Sequence, residues 1–281
     1  MIEIELYQPG KVNATINFPQ EWNELLLPEL HSIAQSILTS FKTPEEAKAH
    51  VFLSIIKHRL KEKGLPKDYI NRFDAEDLAC KSIDLTEFIY KENGLTKQPY
   101  PILEVDFAGC FYKPKKKLVG PEDDFDSLTA GEYEDAEIWY HQFKEDPCAN
   151  NLAHLATILY REKEVKHLQY DAANNTYHQY NADKAYPKFQ KLEPWILYSI
   201  FLWYEGCSLN LRKLFPETFT GVKSAEPDIM AFTKCIHAAA GVKNGTRDKV
   251  RCTPLKEILF DAEQEIIKAN ELIAQNEKYG K

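Results

Sequence analysis

Three side chains able to bind a metal or move a proton lie close together in this sequence: His141, Cys148 and His154. Imidazole nitrogen and thiolate sulfur are ligands that zinc prefers, but recurring zinc sites use short fixed spacings that these residues do not follow. His141 and His154 also fall on two different predicted helices, so no metal and no cofactor is expected. Cys235-Ile236-His237 sets a thiol and an imidazole two residues apart, which on one helix turns them away from each other. A nucleophile and base brought together from distant parts of the chain stay open as the alternative. That reading is an enzyme with a Cys/His or metal-assisted hydrolytic site, in which Cys207 or Cys252 could supply the thiol, and Cys207, His141 and His154 are the first residues to test.

Phosphate chemistry finds little support. Gly241-Val242-Lys243-Asn244-Gly245-Thr246 lacks the Gly-Lys-Ser/Thr ending of a phosphate-binding loop, and no strand run precedes it. Lys113, Lys115, Lys116 and Lys117 surround Pro114 and form a candidate nucleic-acid patch. Acidic Glu122-Asp123-Asp124 follows it, however, and a solvated loop is the preferred reading. The formal net charge of -8 also disfavours a general binder of phosphate backbones. Glu122, Asp123, Asp124 and Asp126 read as an exposed acidic turn, and the stretch lacks the alternating ligands of a calcium loop. No catalytic, cofactor-binding or metal-binding residue is assigned.

The elements that must position these side chains are better marked. Ile2, Ile4 and Leu6 alternate with polar residues, as do Val12, Ala14, Ile16 and Phe18, which predicts an N-terminal β-hairpin with one apolar face. A helix near Pro28 carries Leu30, Ile33, Ala34, Ile37, Leu38 and Phe41 on one stripe, with Trp22 anchoring the link to it. Thr43-Pro44-Glu45-Glu46 is a capping box that opens a helix running to Gly64. Short helices fill 65–94, and extended chain runs from Ile102. A second capping box, Thr129 with Glu132, opens a helix through Tyr133, Ala136, Tyr140 and Phe143. Glu134, Asp135 and Glu137 in its first turns suit the positive end of the helix dipole.

A further helix carries Leu152, Leu155, Ala156 and Leu159, and a second hairpin is predicted over 165–171 and 176–180. A helix over 182–190 leads into the centrepiece, residues 194–205, which are apolar on every face and so require cover on all sides. Pro194 suits its first turn, and Gly206 suits the residue just past its end. Helices over 227–240 and 254–276 follow, with an exposed, mobile loop over 241–253 between them. The last helix carries Leu255, Ile258, Leu259, Ala262, Ile266, Ala269 and Ile273 on one side, either as core or as a partner-binding face.

The expected fold is α+β and mainly α: a helical core around a buried central helix, an N-terminal hairpin and one or two further short hairpins. Two units are expected, 1–95 and a helical unit over 96–281 built around the helix at 194–205. At 281 residues, with 44% hydrophobic and 28% charged residues, the chain can bury a substantial core. No leader peptide is read at the start, and the six widely spaced cysteines fit free thiols in a reducing cytoplasm.

Short stretches spread over most of the chain carry a resemblance. They are Phe18-Pro19-Gln20-Glu21-Trp22-Asn23-Glu24-Leu25, Gly120-Pro121 with Phe125, Leu128-Thr129 with Glu132, Leu159-Tyr160-Arg161, Tyr204-Glu205-Gly206-Cys207, and Leu214-Phe215-Pro216 with Phe219. Together they resemble a family of phage and prophage accessory proteins from tail or virion assembly regions. The resemblance implies a non-enzymatic protein-interaction role, as an assembly chaperone or structural accessory protein whose partner is a tail or virion component. It implies a place in the cytoplasm of the bacterial host or on the virion. No catalytic residues come with it.

Overall fold

A computed structural model describes residues 1–8, 11–39, 41, 43–66, 70, 71, 73, 75–105, 116–162, 179–220, 231–240 and 245–279. The fold is α+β and mainly α. The chain divides into two compact units, Met1–Pro99 with Glu193–Gly206, and Tyr100–Leu192 with Cys207–Lys281. The first half of the central helix thus belongs with the N-terminal unit, whereas the sequence reading grouped it with 96–281. Among the described residues no helix is long and apolar enough to cross a membrane.

In the first unit, β1 (Ile2–Gln8) and β2 (Lys11–Phe18) form an antiparallel hairpin with Ile4 opposite Ile16. Ile4, Leu6, Ile16 and Phe18 are buried, as their alternation requires, and Phe18 meets Phe52 with ring centroids 5.4 Å apart. The outward carbonyls of the pair Glu5 and Thr15 accept from Lys81 Nζ (2.7 Å) and Lys63 Nζ. Lysine on an open strand edge discourages pairing with another chain.

Helix α1 (Leu27–Leu38) buries Leu30, Ile33 and Ala34. Ile37 and Leu38, expected on the same stripe, are exposed in its last turn, so the packed face is shorter than its periodicity. Helix α2 (Pro44–Glu62) begins at Thr43, whose side chain accepts from the Glu46 N–H, and is followed by Gly64 at φ +75°. Between these helices Arg59 makes two hydrogen bonds to the fully buried Glu29, at 2.6 and 2.8 Å, and a third to the Glu24 carbonyl at 2.9 Å. Burial pushes the Glu29 carboxyl above its ordinary range, and the Arg59 guanidinium pulls the other way. Helices α3 (Ala75–Leu85) and α4 (Glu87–Tyr90) follow.

The central helix, taken in chain order as α8 (Pro194–Leu214), does not stop at Gly206. Ser199, Ile200, Phe201, Leu202, Trp203 and Tyr204 are all buried, so every face of the helix is covered there. Part of that cover is the segment after α4: Asn93 Nδ2 donates to the Leu202 carbonyl (2.7 Å), and Trp203 Nε1 donates to the Thr96 carbonyl (3.0 Å). A Cβ at position 206 would lie 2.4 Å from the Leu95 carbonyl oxygen. Glycine is therefore required here by close backbone approach in mid-helix, and the expected helix stop is corrected on that ground.

In the second unit, β3 (Ile102–Val105), β4 (Lys116–Val119) and β5 (Arg161–Glu162) make an antiparallel sheet in that order. The capping box forms as written: Glu132 N–H donates to Thr129 Oγ1 (3.4 Å), and Thr129 N–H donates to Glu132 Oε2 (2.8 Å). It opens α5 (Ala130–Glu145), which packs along α6 (Ala149–Leu159), and α7 (Gln179–Phe189) packs on α6. The predicted second hairpin lies outside the described residues except for Gln179 and Tyr180, which open α7.

Helix α9 (Pro216–Thr220) follows α8, and α10 (Ala231–Ala239) buries Phe232 and Ile236. Part of the expected loop over 241–253 is instead a helix, α11 (Arg247–Arg251), started by Thr246 and holding Val250 in the core. Helix α12 (Leu255–Tyr279) is laced at its start to the start of α5: Ala130 N–H donates to the Thr253 carbonyl (3.0 Å), and Leu255 N–H donates to the Leu128 carbonyl (2.8 Å). Further along, Glu263 accepts from the Glu217 and Thr218 N–H groups (2.9 and 2.6 Å), a carboxylate at the positive end of α9.

Candidate functional site

A polar cleft in the second unit is built by α5, α10 and α11. It has a volume of about 360 Å³ and is lined by Glu134, Asp135, Ile138, Thr233, Arg247, Asp248 and Arg251. Glu134 is 4% exposed, which a carboxylate tolerates only when its charge is answered. Arg247 donates to its Oε1 at 3.1 Å, and Arg251 pairs with its Oε2. Arg251 also donates to Asp135 Oδ2 at 2.9 Å. Close approach of the two helices is possible because residue 131 is glycine: a Cβ there would meet Arg251 Cβ at 3.0 Å. Deeper along α5, Glu132 pairs with Arg161.

The Glu134 and Asp135 pairs answer the acidic first turns of α5 with arginines that follow more than a hundred residues later. The dipole explanation of Glu134 and Asp135 is therefore incomplete. What the cleft offers chemically is a set of charges fixed on one another, with Asp248, Thr233 and the exposed Ile138 at its margin. Glu137, the third of those acids, lies 3.4 Å from His141 one turn on. It also faces the fully buried Tyr133 hydroxyl, which burial first and Glu137 second push well above the usual phenol range. The Ser208 hydroxyl from α8 reaches the same phenol.

The structure does not assemble the residues proposed for metal or nucleophile. His141 pairs with Glu137, and the His154 ring is stacked between Trp139 and Tyr186, 3.8 Å from each. Burial holds His154 below the ordinary imidazole value, with Asp183 opposing. Cys148 stands at the start of α6. Among the described residues no group of three or more His, Cys, Asp or Glu is arranged to hold a metal. Cys207 is fully buried on α8, and burial pushes its thiol far above the usual range, with Asp124 adding to the effect. A nucleophilic cysteine needs the opposite shift. Cys235 is raised by burial as well, His237 points to solvent, and Cys252 is exposed at the end of α11.

In the first unit Ser36 Oγ and His50 Nδ1 come within nucleophile and base distance, at 2.8 Å. The Ser36 hydroxyl already donates its single proton to the Ser32 carbonyl at 2.7 Å, so His50 is the donor in that contact and not a base.

The acidic turn is more ordered than its sequence suggests. Asp124 and Phe125 both have positive φ, 52° and 62°, an uncommon conformation for residues with side chains. The turn is held by Asn210 Nδ2 (2.8 Å) and Lys256 Nζ (2.8 Å) on the Asp124 carboxylate, by Lys256 on Asp126 (2.6 Å), and by burial of the Phe125 ring. In the lysine patch, 113–115 lie outside the described residues, Lys116 opens β4, and Lys117 faces Glu104 across the strands at 3.6 Å. Part of that positive charge is thus answered within the sheet. The glycine-containing stretch 241–246 is described only at Gly245 and Thr246, and Thr246 caps α11. No family model, curated protein or solved structure matches the chain.

Proposed function

We propose that this chain works by binding another protein, as a non-enzymatic accessory of phage or prophage tail or virion assembly that holds or guides a structural component in the host cytoplasm. The observation that carries the protein-binding part is the far half of α12. From residue 268 to residue 278 every side chain is exposed, and Leu272 and Ile273 are exposed by 59% and 57%. Apolar side chains on the open face of a regular helix are best accounted for by a protein surface that covers them. The virion context rests on the resemblance of the short stretches quoted above.

The chemistry of the thiols and imidazoles favours this reading over a hydrolase. Cys207 is shielded and resists ionisation, and His154 is occupied in a ring stack. The test is recovery of tagged full-length protein from producing cells, with mass spectrometry and metal analysis of the same sample. Stoichiometric recovery of a tail or virion component without metal is the expected outcome. Recovery of the chain alone, or with bound metal, would overturn the proposal in favour of the hydrolase.

A further inference from the structure

We draw no further inference here: the strongest candidate, the cleft between α5, α10 and α11, belongs to the site already described and is closed on itself, since its buried carboxylates, Glu134 and Asp135, are held by Arg247 and Arg251.

Discussion

His31 on α1 and His154 on α6 each sit in surroundings that favour the neutral imidazole. Burial is the larger cause for both, and the neighbouring His58 adds to it at His31. The consequence for stability has a definite sign. In the unfolded chain these rings take up a proton near the ordinary value of 6.5, and in the folded chain they do so only at lower pH. The stability tied to their neutral form is therefore fully present above pH 6.5 and drains away as pH falls below it. Urea titrations of the wild type at pH 7.5, 6.5 and 5.5 are expected to show falling stability over the lower interval, and His31→Gln is expected to make that fall shallower while altering the pH 7.5 value little. An unchanged slope in the variant would remove His31 from the account.

At the same scale, Glu134 illustrates which site residues were legible. Its type and position near the start of a capped helix were plain in the sequence, and so was the capping box itself. Its partners Arg247 and Arg251 were not, because ion pairs across such a separation leave no periodic or local trace. The cleft was missed for that reason. A hint was available in the density of acids, Glu132, Glu134, Asp135 and Glu137, on a helix that also had to bury Tyr133 and Ala136.

Elements with local signals were read well, and elements defined by their neighbours were not. The N-terminal hairpin follows from strict alternation, and α2 and α5 follow from Thr43 and Thr129, whose hydroxyls need only the next turn of chain. Helix α11 is five residues long and depends on Val250 in the core and on arginine pairs, so a glycine and mixed charges made it look like a loop. Gly206 is the sharper case. Glycine after an apolar helix ordinarily marks its end, yet here it lets the Leu95 backbone lie against a helix that continues for two more turns. Ala in place of Gly inside an unobstructed helix gains about 1 kcal/mol. Gly206→Ala is instead expected to cost at least about 2 kcal/mol, since the added methyl meets backbone that cannot rotate away. Chemical denaturation of the variant measures it, and a gain in stability would mean that Leu95 is not held against the helix.

The first unit is made from two separated parts of the chain, Met1–Pro99 and Glu193–Gly206. The second part brings Trp203 and Tyr204, both fully buried, and the partners of Asn93 and Thr96. A fragment ending at Pro99 keeps the hairpin and helices α1 to α4 but lacks the helix to which Asn93 and Thr96 bond. It is expected to lose cooperative thermal unfolding, read by circular dichroism, and addition of a peptide spanning 193–206 is expected to restore part of it. A fragment that unfolds cooperatively by itself would show that the unit does not need its second part. Sequence alone did not reveal this division, because apolar content marks what is buried and not which segment buries it.

That discontinuity sets a timetable for synthesis. On the ribosome, the hairpin and the first helices emerge early, and their apolar faces must wait while residues 100–192 are translated before the missing helix arrives. The nascent chain therefore passes through a period in which the first unit has been made but cannot close. A slow stretch of translation before the 193–206 segment has left the ribosome would prolong that exposure, and one placed later would not.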